Sequence, residues 1–162
     1  LKSVAAMIRS NPDETVDKVK KLLEQQKTLE KEIQRLHGQM GKNQIPDLLA
    51  KKKNIDGTSV LITEVEKVDA KQLREVADQV KDKLGSGVVI LLSAGEKNVQ
   101  LVTSVSKDLT QKYHAGNIIK QLAPVVGGGG GGRPDFAQAG GKDPTKLSDA
   151  LKKAEEIVRQ IK

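Results

Sequence analysis

Residues 127–132 are six consecutive glycines, followed by Arg133-Pro-Asp-Phe-Ala-Gln-Ala-Gly140-Gly141. Glycine loses more backbone freedom on folding than any other residue and weakens helix and strand interiors. Six in a row therefore read as a loop, kept where the backbone takes positive φ or approaches another group closely. Flexible linkers share this composition. Here apolar segments flank the tract and a second glycine pair follows, so an ordered or binding-ordered loop is expected. Exposed N–H groups in such a loop make a concavity for anions. Arg133 adds a planar five-donor fork suited to phosphate, with Asp135 placed to orient it. Gln138 can donate and accept at a base edge or a sugar hydroxyl. Gly129, Gly130, Gly131, Gly132, Arg133 and Gln138 are the resulting candidates for nucleic-acid contact.

The charge distribution points the same way. The 162 residues carry a net +7. Residues 105–162 hold 10 Lys and Arg against 6 Asp and Glu, whereas residues 54–104 hold 6 against 8. A basic C-terminal third suits phosphate binding, with Lys107, Lys112, Lys120 and Lys142 supplying the field. A basic soluble protein with no nucleic-acid partner would account for the charge equally well. The only aromatic residues are Tyr113 and Phe136, which argues against modules that stack bases on aromatic platforms. Any nucleic acid would be read through backbone and shape.

The first 40 residues read as helix. Asn11, Pro12, Asp13 and Glu14 form a start signal, after a short helical pattern at Leu1, Val4 and Ile8. Thr15, Val19, Leu22, Gln26, Leu29, Ile33, Leu36 and Met40 then alternate steps of four and three. That is a coiled-coil seam with one polar interruption at Gln26; it favours a partner helix, and a homodimer through the arm is expected. A helix packed on its own domain is the alternative. Gly38 and Gly41 are expected to weaken the helix end, Asn43–Pro46 to break it, and Lys51-Lys52-Lys53 to form a solvated hinge. The expected division is an arm over 1–52 and a globular unit over 53–162.

In the globular unit, Gly57–Glu66 has strand character. Asp69 with Gln72 resembles a capping box, opening a helix with Leu73, Val76, Ala77, Val80 and Leu84 on one face. Val88–Leu92 reads as a buried strand, and Val99–Val105 as the return strand of a hairpin. Ser106 is placed to cap a turn. A helix carries Ile118, Ile119 and Leu122, and a last helix from Asp143-Pro144 buries Leu147, Ala150, Leu151, Ala154, Ile157, Val158 and Ile161. The expected class is mixed α+β: a long helical arm, then a small mixed sheet with packed helices, its first two strands parallel across a helix.

Ser106-Lys-Asp-Leu109, Ala115-Gly116, the run from Gly127 to Asp135, and Ala137 to Asp143 together resemble the C-terminal domain of alanyl-tRNA synthetases. Leu84–Leu91 and the Asn-Pro-Asp-Glu helix start fit as well, so the resemblance spans essentially the whole chain. Gly129 stands where that family often has Lys, and Phe136 where Met is common. The resemblance implies a fold similar to the DHH-associated domain of DHH-type phosphoesterases. It also implies contact with the tRNA elbow, help in coupling charging with editing, and oligomerisation through the arm. An accessory domain of a DHH-type phosphoesterase, the tail of a free-standing alanyl-tRNA editing protein, and a coiled-coil interaction protein are the rival readings.

No catalytic centre is expected. There is no cysteine, and His37 and His114 are the only histidines, so neither a metal site nor a cofactor is implied. Ser106-Lys107-Asp108 has no histidine partner placed by any motif. A start at Leu1 suggests a fragment. No apolar run approaches 18 residues, and a soluble cytoplasmic protein is expected, with no membrane partner.

Overall fold

The computed structural model describes residues 14–161, apart from the side chains of residues 34 and 37–43. The helical pattern at Leu1, Val4 and Ile8, the start signal at Asn11–Asp13, and the side chains of His37 and Met40 lie outside the described residues. The chain divides into two units between His37 and Gly38.

Helix α1, Thr15–Asn43, is built from strong helix formers. Pairs one turn apart support it: Arg35 meets Glu32 at 2.6 Å, and Gln26 Nε2 donates to Glu30 Oε1 at 2.9 Å. Leu22, Leu29, Ile33 and Leu36 are all exposed, Val19 is half-buried, and Val16 and Leu23 widen the apolar stripe. The helix runs through both glycines expected to weaken it. A helical glycine costs about 1 kcal/mol, which is not enough to end a long helix.

Helix α2, Ile45–Ala50, has Pro46 in its first turn, where no intrahelical N–H is needed. Ile45 and Leu48 are buried in the globular core, so this stretch of the expected arm packs with the globular unit. Lys53 is part of a strand, not a hinge: β1, Lys53–Ile55, pairs antiparallel with β2, Thr58–Glu64. Asp56 and Gly57 both take positive φ between them, the geometry a two-residue hairpin turn demands. Lys53 Nζ reaches Glu155 on the last helix at 2.9 Å. A three-residue strand is too short to show a period, so the sequence pattern did not display it.

Helix α3, Ala70–Leu84, opens with the capping box: Gln72 N–H donates to Asp69 Oδ1 at 2.8 Å, and Asp69 N–H to Gln72 Oε1 at 3.0 Å. It carries the chain from β2 to β3, Val88–Ala94, which pairs parallel to β2. β4, Val99–Val105, returns antiparallel. After a 3-10 turn at Lys107–Leu109 come helix α4, Ala115–Leu122, and two further strands, β5, Gly129–Gly132, and β6, Phe136–Gly141. Helix α5, Leu147–Gln160, follows a 3-10 turn, with Asp143 accepting the Thr145 N–H at 3.1 Å.

The six strands lie in the order β1-β2-β3-β4-β6-β5. One face packs Val60, Ile90, Leu101 and Ala137 against α4 and α5; the other packs Leu61, Leu91 and Val102 against α3 and α2. Covered on both faces, β3 is the continuous apolar run expected of a central strand. On α5, Ala150, Ala154, Ile157 and Val158 are buried, while Leu147, Leu151 and Ile161 pack at the core margin.

Candidate nucleic-acid interface

The glycine tract is not a loop. Gly129–Gly132 form β5, paired antiparallel with β6 in the register Gly129↔Gly140, Gly130↔Ala139, Gly131↔Gln138 and Gly132↔Ala137. Of the tract only Gly127 takes positive φ. Close approach is what requires Gly128, Gly130 and Gly132. A Cβ on Gly128 would strike the Gly140 carbonyl, one on Gly130 the Gln138 carbonyl and Ala139, and one on Gly132 the Phe136 carbonyl and Ala137. Gly129 and Gly131 face open space or the end of Lys120.

The Arg133 N–H donates to the Phe136 carbonyl at 2.8 Å, closing the hairpin. Antiparallel pairing alternates bonded and non-bonded sites, so Gly129 and Gly131 spend their N–H groups on β6. The N–H groups of Gly130 and Gly132 turn away from it. The expected cradle of consecutive N–H donors is thus halved, because the ladder consumes every second one. Helix α4 covers part of this outer edge: the Ala115 and Gly116 N–H groups donate to the Pro134 and Arg133 carbonyls at 2.9 and 3.2 Å. His114 caps the same helix, its Nδ1 accepting the Asn117 N–H at 3.3 Å.

Arg133 is 74% exposed and its Nε lies 3.2 Å from Asp135 Oδ1, so the carboxylate does hold the guanidinium at the hairpin turn. Lys120 reaches to 4.0 Å from the position a Cβ on Gly131 would occupy, and Gln138 is exposed opposite Gly131. These residues come together. Lys107 lines a cleft with Asp135, Asp108 and Ser106. Lys112 lies 5.3 Å from the centre of the Tyr113 ring. Lys142 follows β6, its N–H donating to the Val126 carbonyl at 3.0 Å, at the opposite end of the hairpin from Arg133, about 20 Å of strand away. Among the described residues, Lys107, Lys112, Lys120 and Lys142 make no ion pair.

Ser106 does not cap the turn that follows it. Its hydroxyl accepts the Gly87 N–H at 3.0 Å, tying β4 to the start of β3. The Asp108 carboxylate is held below its usual range by hydrogen bonds, first from the Ser86 hydroxyl and then from Ser106. Two residues outside the sequence candidates also face the hairpin. Arg74 on α3 lies 4.7 Å above the Phe136 ring, and Gln100 on β4 reaches over Gly140. The alternation of β4 marks Gln100 as facing away from Leu101, but only tertiary packing shows what it faces. Among the described residues, no group of three or more His, Cys, Asp or Glu is arranged to hold a metal ion. Nor is any described helix long and apolar enough to cross a membrane.

Residues 57–160 match the family described as the DHHA1 domain. The alanine–tRNA ligase of Pelotomaculum thermopropionicum is 44% identical over 159 residues, covering 98% of this chain and 18% of that protein. That of Natranaerobius thermophilus is 42% identical over 160 residues, with the same coverage of 98% and 18%. The chain thus spans about a fifth of the length of these relatives. Among solved structures, the C-Ala domain of Aquifex aeolicus alanyl-tRNA synthetase superimposes with a TM-score of 0.62 at 34% identity, covering 67% of this chain and 98% of that one. A DHH-domain structure from a member of a ribosomal-protein family, at TM-score 0.52 and 18% identity over 75% of this chain and 31% of that one, shares the fold. The chain belongs to the DHHA1 domain family, as a C-Ala domain of the alanyl-tRNA synthetase kind.

Proposed function

We propose that this chain is a tRNA-binding accessory module of an alanine–tRNA ligase, working without a cofactor or catalytic centre of its own. The observation that carries this reading is the glycine hairpin. It presents an exposed Arg133 held by Asp135, with Lys120 beside Gly131. Lys120 adds positive potential beside Gly131, Lys107, Lys112 and Lys142 add to the basic field of the unit, and a strand without side chains lets a phosphate backbone approach closely. The tRNA elbow is the part of the ligand this surface would meet, and holding it would help one tRNA serve both charging and editing. The exposed stripe of Leu22, Leu29, Ile33 and Leu36 on α1 supports a second role, homodimerisation through the arm. Such a module would work in the cytoplasm, where tRNA is charged.

The test is binding of the chain to folded tRNA and to plain duplex RNA of equal length at two salt concentrations, with Arg133→Ala in parallel. A preference for tRNA is expected, weakened by salt. Arg133→Ala should lower the salt slope by about one unit. Equal binding to both RNAs, with the variant unchanged, would remove the elbow-binding role.

A further inference from the structure

On the α3 side of the sheet, Gln138 and Gly140 are exposed, and a cleft of about 240 Å³ opens between Ala70 and the β4-β6-β5 strip. Phe136, Gln138 and Gly140 alternate along this face of β6, at steps of roughly 6.7 Å. Arg74 covers Phe136 at one end. At the other end Gln100 pairs with Gly140, its Oε1 lying 4.0 Å from where a Cβ at 140 would sit. Gln100 and Gln138 are diagonal neighbours across the β4-β6 pair, with Cβ atoms about 7 Å apart. Among the described residues, neither carboxamide makes a hydrogen bond within the chain, and Arg74 makes no ion pair.

We infer that this cleft takes one unstacked nucleotide from a loop of the bound RNA, an inference that rests on the RNA-binding reading above. The Arg74 guanidinium, 4.7 Å from the centre of the Phe136 ring, offers its N–H donors to the phosphate. The two carboxamides, each both donor and acceptor, meet the base edge or the ribose hydroxyls. The small exposed floor at Gly129 and Gly140 admits a planar group without an aromatic platform. Three features favour a nucleotide over an extended peptide. The floor strands β4 and β6 are paired on both sides, so they offer no free ladder for strand addition. The longest side chains lining the cleft that reach solvent are the carboxamides of Gln100 and Gln138. Arg74 supplies a cation at the Phe136 end of this face. The recess accommodates a single planar group, so a continuous duplex would not enter it.

The experiment measures affinity of the full 162-residue chain for folded tRNA and for duplex RNA of equal length at two salt concentrations. It compares the parent, the double variant Gln100→Ala/Gln138→Ala, and Arg74→Ala, with thermal melts to verify folding. The double variant should lose about tenfold in tRNA affinity, keep the parent's salt slope, and bind duplex RNA as before. Arg74→Ala should weaken tRNA binding and lower the slope by about one unit. A double variant that binds tRNA like the parent, while the parent still prefers tRNA, overturns the nucleotide cleft, leaves the module reading intact and opens the cleft to a peptide. Equal loss on both RNAs also overturns it. A parent with no preference for tRNA overturns both readings.

Discussion

Gly116 on α4 lies against the carbonyl oxygen of Gly132 on β5: a Cβ at 116 would sit 2.6 Å from that oxygen. The helix can therefore approach the backbone of the glycine strand this closely only because residue 116 lacks a side chain. Gly116→Ala should destabilise the chain by about 1–2 kcal/mol, the overpacking cost exceeding alanine's better helix propensity. Denaturant unfolding read at the far-ultraviolet helix signal checks this; an alanine variant as stable as the parent would refute the close crossing.

The glycines of β5 are not equivalent. Gly130→Ala should cost about 2–3 kcal/mol, because its Cβ meets the backbone of β6. Gly129→Ala should change stability by less than about 0.5 kcal/mol, since nothing lies within 4 Å of its added Cβ. Gly129→Lys should fold equally well and steepen the salt dependence of RNA binding by about one unit. Paired melting curves and salt titrations separate the two positions.

Glu155 accepts from Arg159 and from Lys53, and these contacts hold its carboxylate below the usual range, Arg159 contributing most. A depressed folded-state value means the stabilisation is present above the unfolded-state carboxylate range. It is lost as pH falls through the folded-state value. Glu155→Gln should thus be less stable than the parent at neutral pH and converge with it in acid. Both side chains of the Lys53 pair reach solvent, so the difference should be small and salt-sensitive. Parallel melts across pH measure it; a gap that widens in acid would contradict the pairing.

The arm carries its own test. Leu29→Glu with Ile33→Glu places two charges on the exposed stripe of α1. If the stripe is a dimer seam, sedimentation should show the parent associating with concentration and the variant remaining monomeric, with the globular unit's melting unchanged. Self-association that survives both charges would move the interface elsewhere.

Much of the architecture was legible in sequence because it follows from local rules. Val88–Leu92 announced a strand buried on both faces, Asp69 and Gln72 a capped helix start, and the three-four spacing from Thr15 to Leu36 a long amphipathic helix. The pairing of Arg133 with Asp135 was equally visible, since the two charges stand two residues apart in the chain. Tertiary structure alone decided the state of the glycine tract. Local propensity disfavours a strand of glycines, yet β6 leaves no room for a side chain at Gly130 and Gly132, and the ladder satisfies half of the strand's N–H groups. The same holds for Lys53, drawn into a strand by an Asp-Gly turn and a carboxylate 102 residues away, and for Arg74 and Gln100. No spacing in the chain relates α3, β4 and β6; they meet on one face only because the sheet orders its strands by non-local pairing.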